Sequence, residues 1–88
     1  MIQNEEEVIS AFKAHKFGAF CLQASDLERA ERGINKGLEV IEKRFGIFTN
    51  AYMNLGNLEA QKKDYKKAIE YYEKVIQQSP HQNPPEFE

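Results

Sequence analysis

Residues 54–80 read NLGNLEAQKKDYKKAIEYYEKVIQQSP, a helix that stops, turns and starts again. Leu55 and Leu58 carry the apolar side of the first helix, and Lys63-Asp64 interrupts it. Asp64 suits a helix N-cap, because its carboxylate can accept from the unpaired backbone N–H groups of a first turn. Tyr65, Ala68, Ile69, Tyr72, Val75 and Ile76 then recur at steps of three and four, the mark of an amphipathic helix. Pro80 forbids its continuation. Gly56 stands inside the first helix, where glycine costs about 1 kcal/mol against alanine. Such a glycine makes sense where a second helix comes close.

The rest of the chain divides in the same manner. Asn4 and Glu7 resemble a capping box, and Glu5-Glu6-Glu7 suits the positive end of a helix dipole. From there Val8, Ile9, Phe12, Phe17, Phe20, Cys21 and Ala24 form a broad apolar face. Ser25-Asp26 breaks the pattern. Leu27, Ala30, Ile34, Leu38 and Ile41 form the next stripe, and Gly46 ends it. Phe48, Tyr52, Leu55 and Leu58 mark the third helix. Four helices are therefore expected, near residues 4–24, 26–44, 48–62 and 65–79, in one domain over residues 1–79. Residues 80–88, with Pro84-Pro85 and Phe87, form a polar tail. No segment alternates with period two, so the fold class is all-α.

A shift of 38 positions carries Gly18 onto Gly56, Gln23 onto Gln61, Asp26 onto Asp64, Ala30 onto Ala68 and Lys36 onto Lys74. Phe17 then pairs with Leu55 and Phe20 with Leu58. The helix-turn-helix unit occurs twice, and Gly18/Ala30 and Gly56/Ala68 are expected to be the closest contacts within each pair.

Tyr52, Asn54-Leu55-Gly56-Asn57, Asp64-Tyr65, Ala68-Ile69, Tyr72, Lys74 and Pro80 stand in an order and spacing that resembles the tetratricopeptide repeat, over residues 49–82. Residues 11–44 resemble a degenerate copy through Phe17-Gly18, Asp26-Leu27, Ala30, Lys36 and Leu38. The resemblance implies two antiparallel helix-turn-helix repeats in a short right-handed α-solenoid. The period departs from the family's, which is about 34 residues; the added residues most simply lengthen the second helix through Glu42-Lys43-Arg44. Ala14 replaces a large aromatic, and Cys21 and Glu59 stand where tyrosine is common.

Composition bounds the function. The 88 residues hold 41% hydrophobic and 30% charged side chains, with a net charge of −2 and both signs interspersed. Such a chain has material for one core and no basic field for nucleic acid. No apolar run approaches the ~20 residues of a membrane span. Cys21 is the single cysteine, and the N-terminus lacks the basic and apolar regions of a signal peptide, so a cytoplasmic protein is expected. Neither a glycine-rich phosphate loop nor a metal-ligand cluster occurs, and His15 has no nucleophile at catalytic spacing. The chain reads as a non-enzyme without cofactor or metal.

The family resemblance instead implies a concave face built from the first helix of each unit, binding a peptide or partner helix. Its positions fall on Phe12, His15, Lys16, Ala19 and Gln23, and on Asn50, Met53, Asn54, Asn57 and Gln61. Independently, Asn50, Asn54, Asn57 and Gln61 lie on one helical stripe, and their carboxamides offer donors and acceptors to a peptide backbone. A subgroup of the family grips a chaperone's terminal carboxylate, but the required first-unit positions hold His15 and Ala19. A second reading is self-association. Tyr65, Ile69, Tyr72 and Ile76 offer more apolar surface than one helix covers, and repeats need neighbours, so a homodimer or a place in a longer scaffold is the alternative. A third arrangement has Phe87 and the tail folding back over the fourth helix.

Overall fold

A computed structural model of the chain describes residues 2–78, with side chains from Glu5 to Gln78. Four helices follow one another: α1 (Ile2–Gln23), α2 (Leu27–Phe45), α3 (Thr49–Gln61) and α4 (Tyr65–Gln78). No strand occurs among the described residues. The proposed stop at Pro80 and the proline tail lie outside the described residues. α1 begins at Ile2, ahead of Asn4, so the expected capping box sits within the helix and does not start it.

The helices form two antiparallel pairs, α1 with α2 and α3 with α4, and the pairs stack chiefly through α2 and α3. The two intra-pair turns are copies of each other at the 38-residue shift. Asp26 N–H donates to the Cys21 carbonyl at 2.8 Å, and Asp64 N–H donates to that of Glu59 at 2.8 Å. Ser25 N–H donates to Leu22 at 3.0 Å, and Lys63 N–H to Ala60 at 2.9 Å. Both pairs of bonds close a helix end with one left-handed residue, Ser25 (φ 63°) or Lys63 (φ 68°). Each following aspartate then caps the next helix: Asp26 accepts from Arg29 N–H at 3.4 Å, and Asp64 from Lys67 N–H at 3.2 Å. At the third turn, Gly46 (φ 86°) ends α2 and donates its N–H to Glu42 at 3.0 Å.

The core gathers Cys21, Leu22, Ala30, Ile34, Ala51, Tyr52, Leu55 and Leu58, with Leu27, Leu38, Phe48, Tyr71 and Val75 packed around it. Ile34 and Leu58 are fully enclosed. Tyr52 joins three helices: its hydroxyl donates to Glu42 Oε2 of α2 at 2.8 Å, and Lys74 Nζ of α4 lies 4.9 Å from its ring centre. Burial, and then the Glu42 carboxylate, push the phenol up to about 12. Glu59 is 4% exposed, and Lys62 meets it at 3.5 Å while also reaching Glu31 of α2 at 3.2 Å. Lys62 is thus a bridge between the pairs.

The two pairs close at different widths. In the first, a Cβ on Gly33 would stand 2.6 Å from the Ala14 carbonyl oxygen, and one on Gly37 2.8 Å from that of Ala11. A Cβ on Gly18 would meet the Ala30 oxygen at 2.9 Å and Ile34 N at 2.8 Å, as the expected Gly18/Ala30 contact requires. Backbone meets backbone along this seam, and only small residues fit. In the second pair, the space above Gly56 holds the ring of Tyr72, whose atoms would stand 2.4 Å from an added Cβ. Gly56 therefore accommodates an aromatic ring from α4: the atoms nearest an added Cβ belong to Tyr72 and not to Ala68, which is itself buried.

This seam explains a second departure. The expected apolar face of α1 is split: Ile9, Phe12, Phe17 and Phe20 are exposed, while Ala11, Gly18, Cys21 and Leu22 are buried. A helix approached this closely turns its small residues inward and its rings outward. On α4, Tyr65 is 59% exposed and not a core residue, and Tyr71 packs on the core in its place. No described helix is long and apolar enough to cross a membrane.

Candidate protein-binding groove

α1 and α3 lie side by side with few mutual contacts, and a groove of about 430 Å³ runs between them. Ala19, Leu22, Gln23, Asn54, Asn57, Ala60 and Gln61 line it. Two units turned the same way put their first helices next to each other. Small residues at Ala19 and Ala60 then leave room between them, while amides stand along the walls.

The polar groups are held by specific partners. His15 Nε2 lies 3.0 Å from Asn54 Nδ2, which donates to an unprotonated ring nitrogen and ties α1 to α3. Burial lowers the imidazole's affinity for a proton, opposed by hydrogen bonding to the Asn50 backbone. Phe48 supports this corner, 4.7 Å from the His15 ring and edge-on to Phe12 at 5.9 Å. Asn57 Oδ1 accepts from the Tyr72 hydroxyl. Gln61 donates to the Leu22 carbonyl at 3.3 Å, and its own carbonyl lies 3.4 Å from the Ser25 hydroxyl.

Of the residues nominated for this face, Gln23, Asn54, Asn57 and Gln61 come together in the groove, and Phe12 and His15 meet beside it at Phe48. Lys16, Asn50 and Met53 are exposed on the same two helices. The carboxamide row is thus partly engaged within the molecule: Asn57 accepts from Tyr72, Asn54 donates to His15, and Gln61 donates to Leu22 and accepts from Ser25, so the Asn57 amide donor is the group left for a ligand on that side chain. Phe48 was legible only as a core residue, since its role depends on two side chains from a distant helix. Tyr65, Ile69 and Ile76, nominated for self-association, are 59%, 54% and 59% exposed along α4, while Tyr72 is half-buried against Gly56. Among the described residues no cluster of side chains could hold a metal ion.

Residues 49–82 match the family model of the tetratricopeptide repeat. The match covers the second helical pair, and four helices with no strand among the described residues are consistent with a helical-repeat fold. Repeats of this kind generally mediate contacts between proteins and are typically non-catalytic. No curated protein and no solved structure matches the chain.

Proposed function

We propose that this protein is a non-catalytic interaction module that holds a peptide or a partner helix across α1 and α3. The observation that carries the reading is the groove itself: it is open, lies between the first helices of the two units, and presents amide groups above an apolar floor of Ala19, Leu22 and Ala60. An extended backbone needs donors and acceptors along its length, and carboxamides supply both. A reducing cytoplasm is proposed with it, on the single and buried thiol of Cys21.

A displayed library of random peptides, selected on the purified chain, provides the ligand for a direct test. Asn57→Asp keeps the oxygen that accepts from Tyr72 and removes the amide donor. Combined with Gln23→Glu, it should weaken selected peptides of roughly micromolar affinity by about tenfold, with helicity unchanged. Binding that survives this double change but is lost on altering Ile69 and Ile76 would overturn the proposal.

The exposed stripe of Tyr65, Ile69 and Ile76 favours a second reading, self-association through α4 or membership of a longer scaffold. An apolar helix face open to water is the ordinary site where a further repeat or a second copy packs. A molar mass that rises with concentration, and no longer does so after Ile69→Lys, is the outcome that reading requires.

A further inference from the structure

The side of the α1–α2 pair that faces away from α3 carries another groove, of about 390 Å³, lined by Ala14, Phe17, Arg29, Arg32, Gly33 and Lys36. None of these residues belongs to the core shared with α3. We infer that this groove is a second docking surface, separate from the α1–α3 face, and that it takes an extended acidic segment in which two carboxylates flank an apolar residue.

Charge complementarity and spacing carry the inference. No carboxylate lines the groove, and three cations do. Arg29, Arg32 and Lys36 stand three and four residues apart, on one stripe of α2. Asp26 meets Arg29 at 3.6 Å, while Arg32 and Lys36 have no ion-pair partner among the described residues. Phe17 of α1 forms the opposite wall and is 54% exposed. The floor is open because Ala14 and Gly33 are small, the consequence of the close helix approach. Arg32 and Lys36 lie about 6 Å apart along the helix axis. In an extended segment, residues i and i+2 project from the same edge about 6.6–6.8 Å apart, and the residue between them projects from the other. Laid along the groove, such a segment sets its carboxylates against α2 and its middle side chain against Phe17. Arg32 and Lys36 also border the neighbouring depression, where Glu28, Glu31 and Glu39 stand, so repulsion from those carboxylates holds an acidic ligand on the Phe17 side.

The test uses the whole chain, labelled with nitrogen-15, and the capped peptide Ala-Glu-Phe-Glu-Ala at low ionic strength. The amide signals of Ala14, Phe17 and Gly33 should move saturably. Arg32→Glu with Lys36→Glu, both exposed positions, should weaken binding by about tenfold or more, and so should raised salt. The peptide Ala-Glu-Ala-Glu-Ala should bind more weakly, because the apolar anchor is gone. Far-UV circular dichroism of the double variant, unchanged from the parent, separates lost binding from lost folding. The inference is overturned if no signal saturates, if the perturbed signals are those of Gln23, Asn54 and Asn57, or if the alanine peptide binds equally well. The α1–α3 reading stands or falls separately, since its double variant leaves this groove untouched.

Discussion

Gly33 and Gly56 are both helical glycines closely approached by the neighbouring helix, yet they answer to different neighbours. An alanine at Gly33 would press its Cβ against the Ala14 carbonyl oxygen, a backbone atom that can move only if the helices part. An alanine at Gly56 would meet the ring of Tyr72, which can swing outward. Alanine also returns up to about 1 kcal/mol of helix propensity at either site. Gly33→Ala should therefore destabilise by about 1–3 kcal/mol, and Gly56→Ala by clearly less. Urea unfolding of the two variants checks this, and equal losses would contradict the account of the two seams. At this scale the sequence was legible in part. Gly18, Gly56, Asp26 and Asp64 stood out because the repeat marks them. Gly33 and Gly37 did not, since their 38-residue counterparts are Tyr71 and Val75. At the equivalent positions, Ala14 with Gly33 in the first unit replaces Tyr52 with Tyr71 in the second. A small pair has taken the place of a large one, and that exchange becomes visible only when both helices are seen together.

Helix order and limits were readable because turns write themselves in local chemistry. Ser25-Asp26 and Lys63-Asp64 each supply a left-handed residue and then a cap, and the chain reverses there in the same way twice. Which face each helix buries was less readable. α1 is apolar over a wide arc, and spacing put its phenylalanines on the packed face, whereas its small residues take that place. Between elements, His15 is one of the polar ties from α1 to α3, beside that of Gln61 to Leu22, and its titration reports on that tie. Burial lowers its pKa below the ordinary 6.5, so the folded state favours the neutral ring. The unfolded chain then takes up the proton first as pH falls. Stability from this group is complete above about 6.5 and is lost as pH drops through the lower folded value. The urea midpoint should fall between pH 7.5 and 5.5, and this fall should be reduced in His15→Gln. A parent midpoint that rises on acidification would place His15 in a different environment.

Among the described residues, two units present three surfaces considered for partners: the α1–α3 groove, the outer α1–α2 groove and the apolar stripe of α4. The repeat explains this inventory. A unit designed to stack on neighbours buries its faces only where neighbours exist, and the described chain shows one such junction, α2 against α3. The amides that line the α1–α3 groove were legible through their spacing and the family order of residues, while the outer groove depends on how closely α1 and α2 approach and had no linear signature. Among the three surfaces, the central claim assigns partner binding to α1 and α3. The most direct measurement is a nitrogen-15 shift map of the intact chain on adding a library-selected peptide. The account predicts that the side-chain amide signals of Gln23, Asn50, Asn54, Asn57 and Gln61 move together and saturate, with those of α4 unmoved. Perturbations confined to Tyr65, Ile69 and Ile76, with the amide signals still, would contradict it.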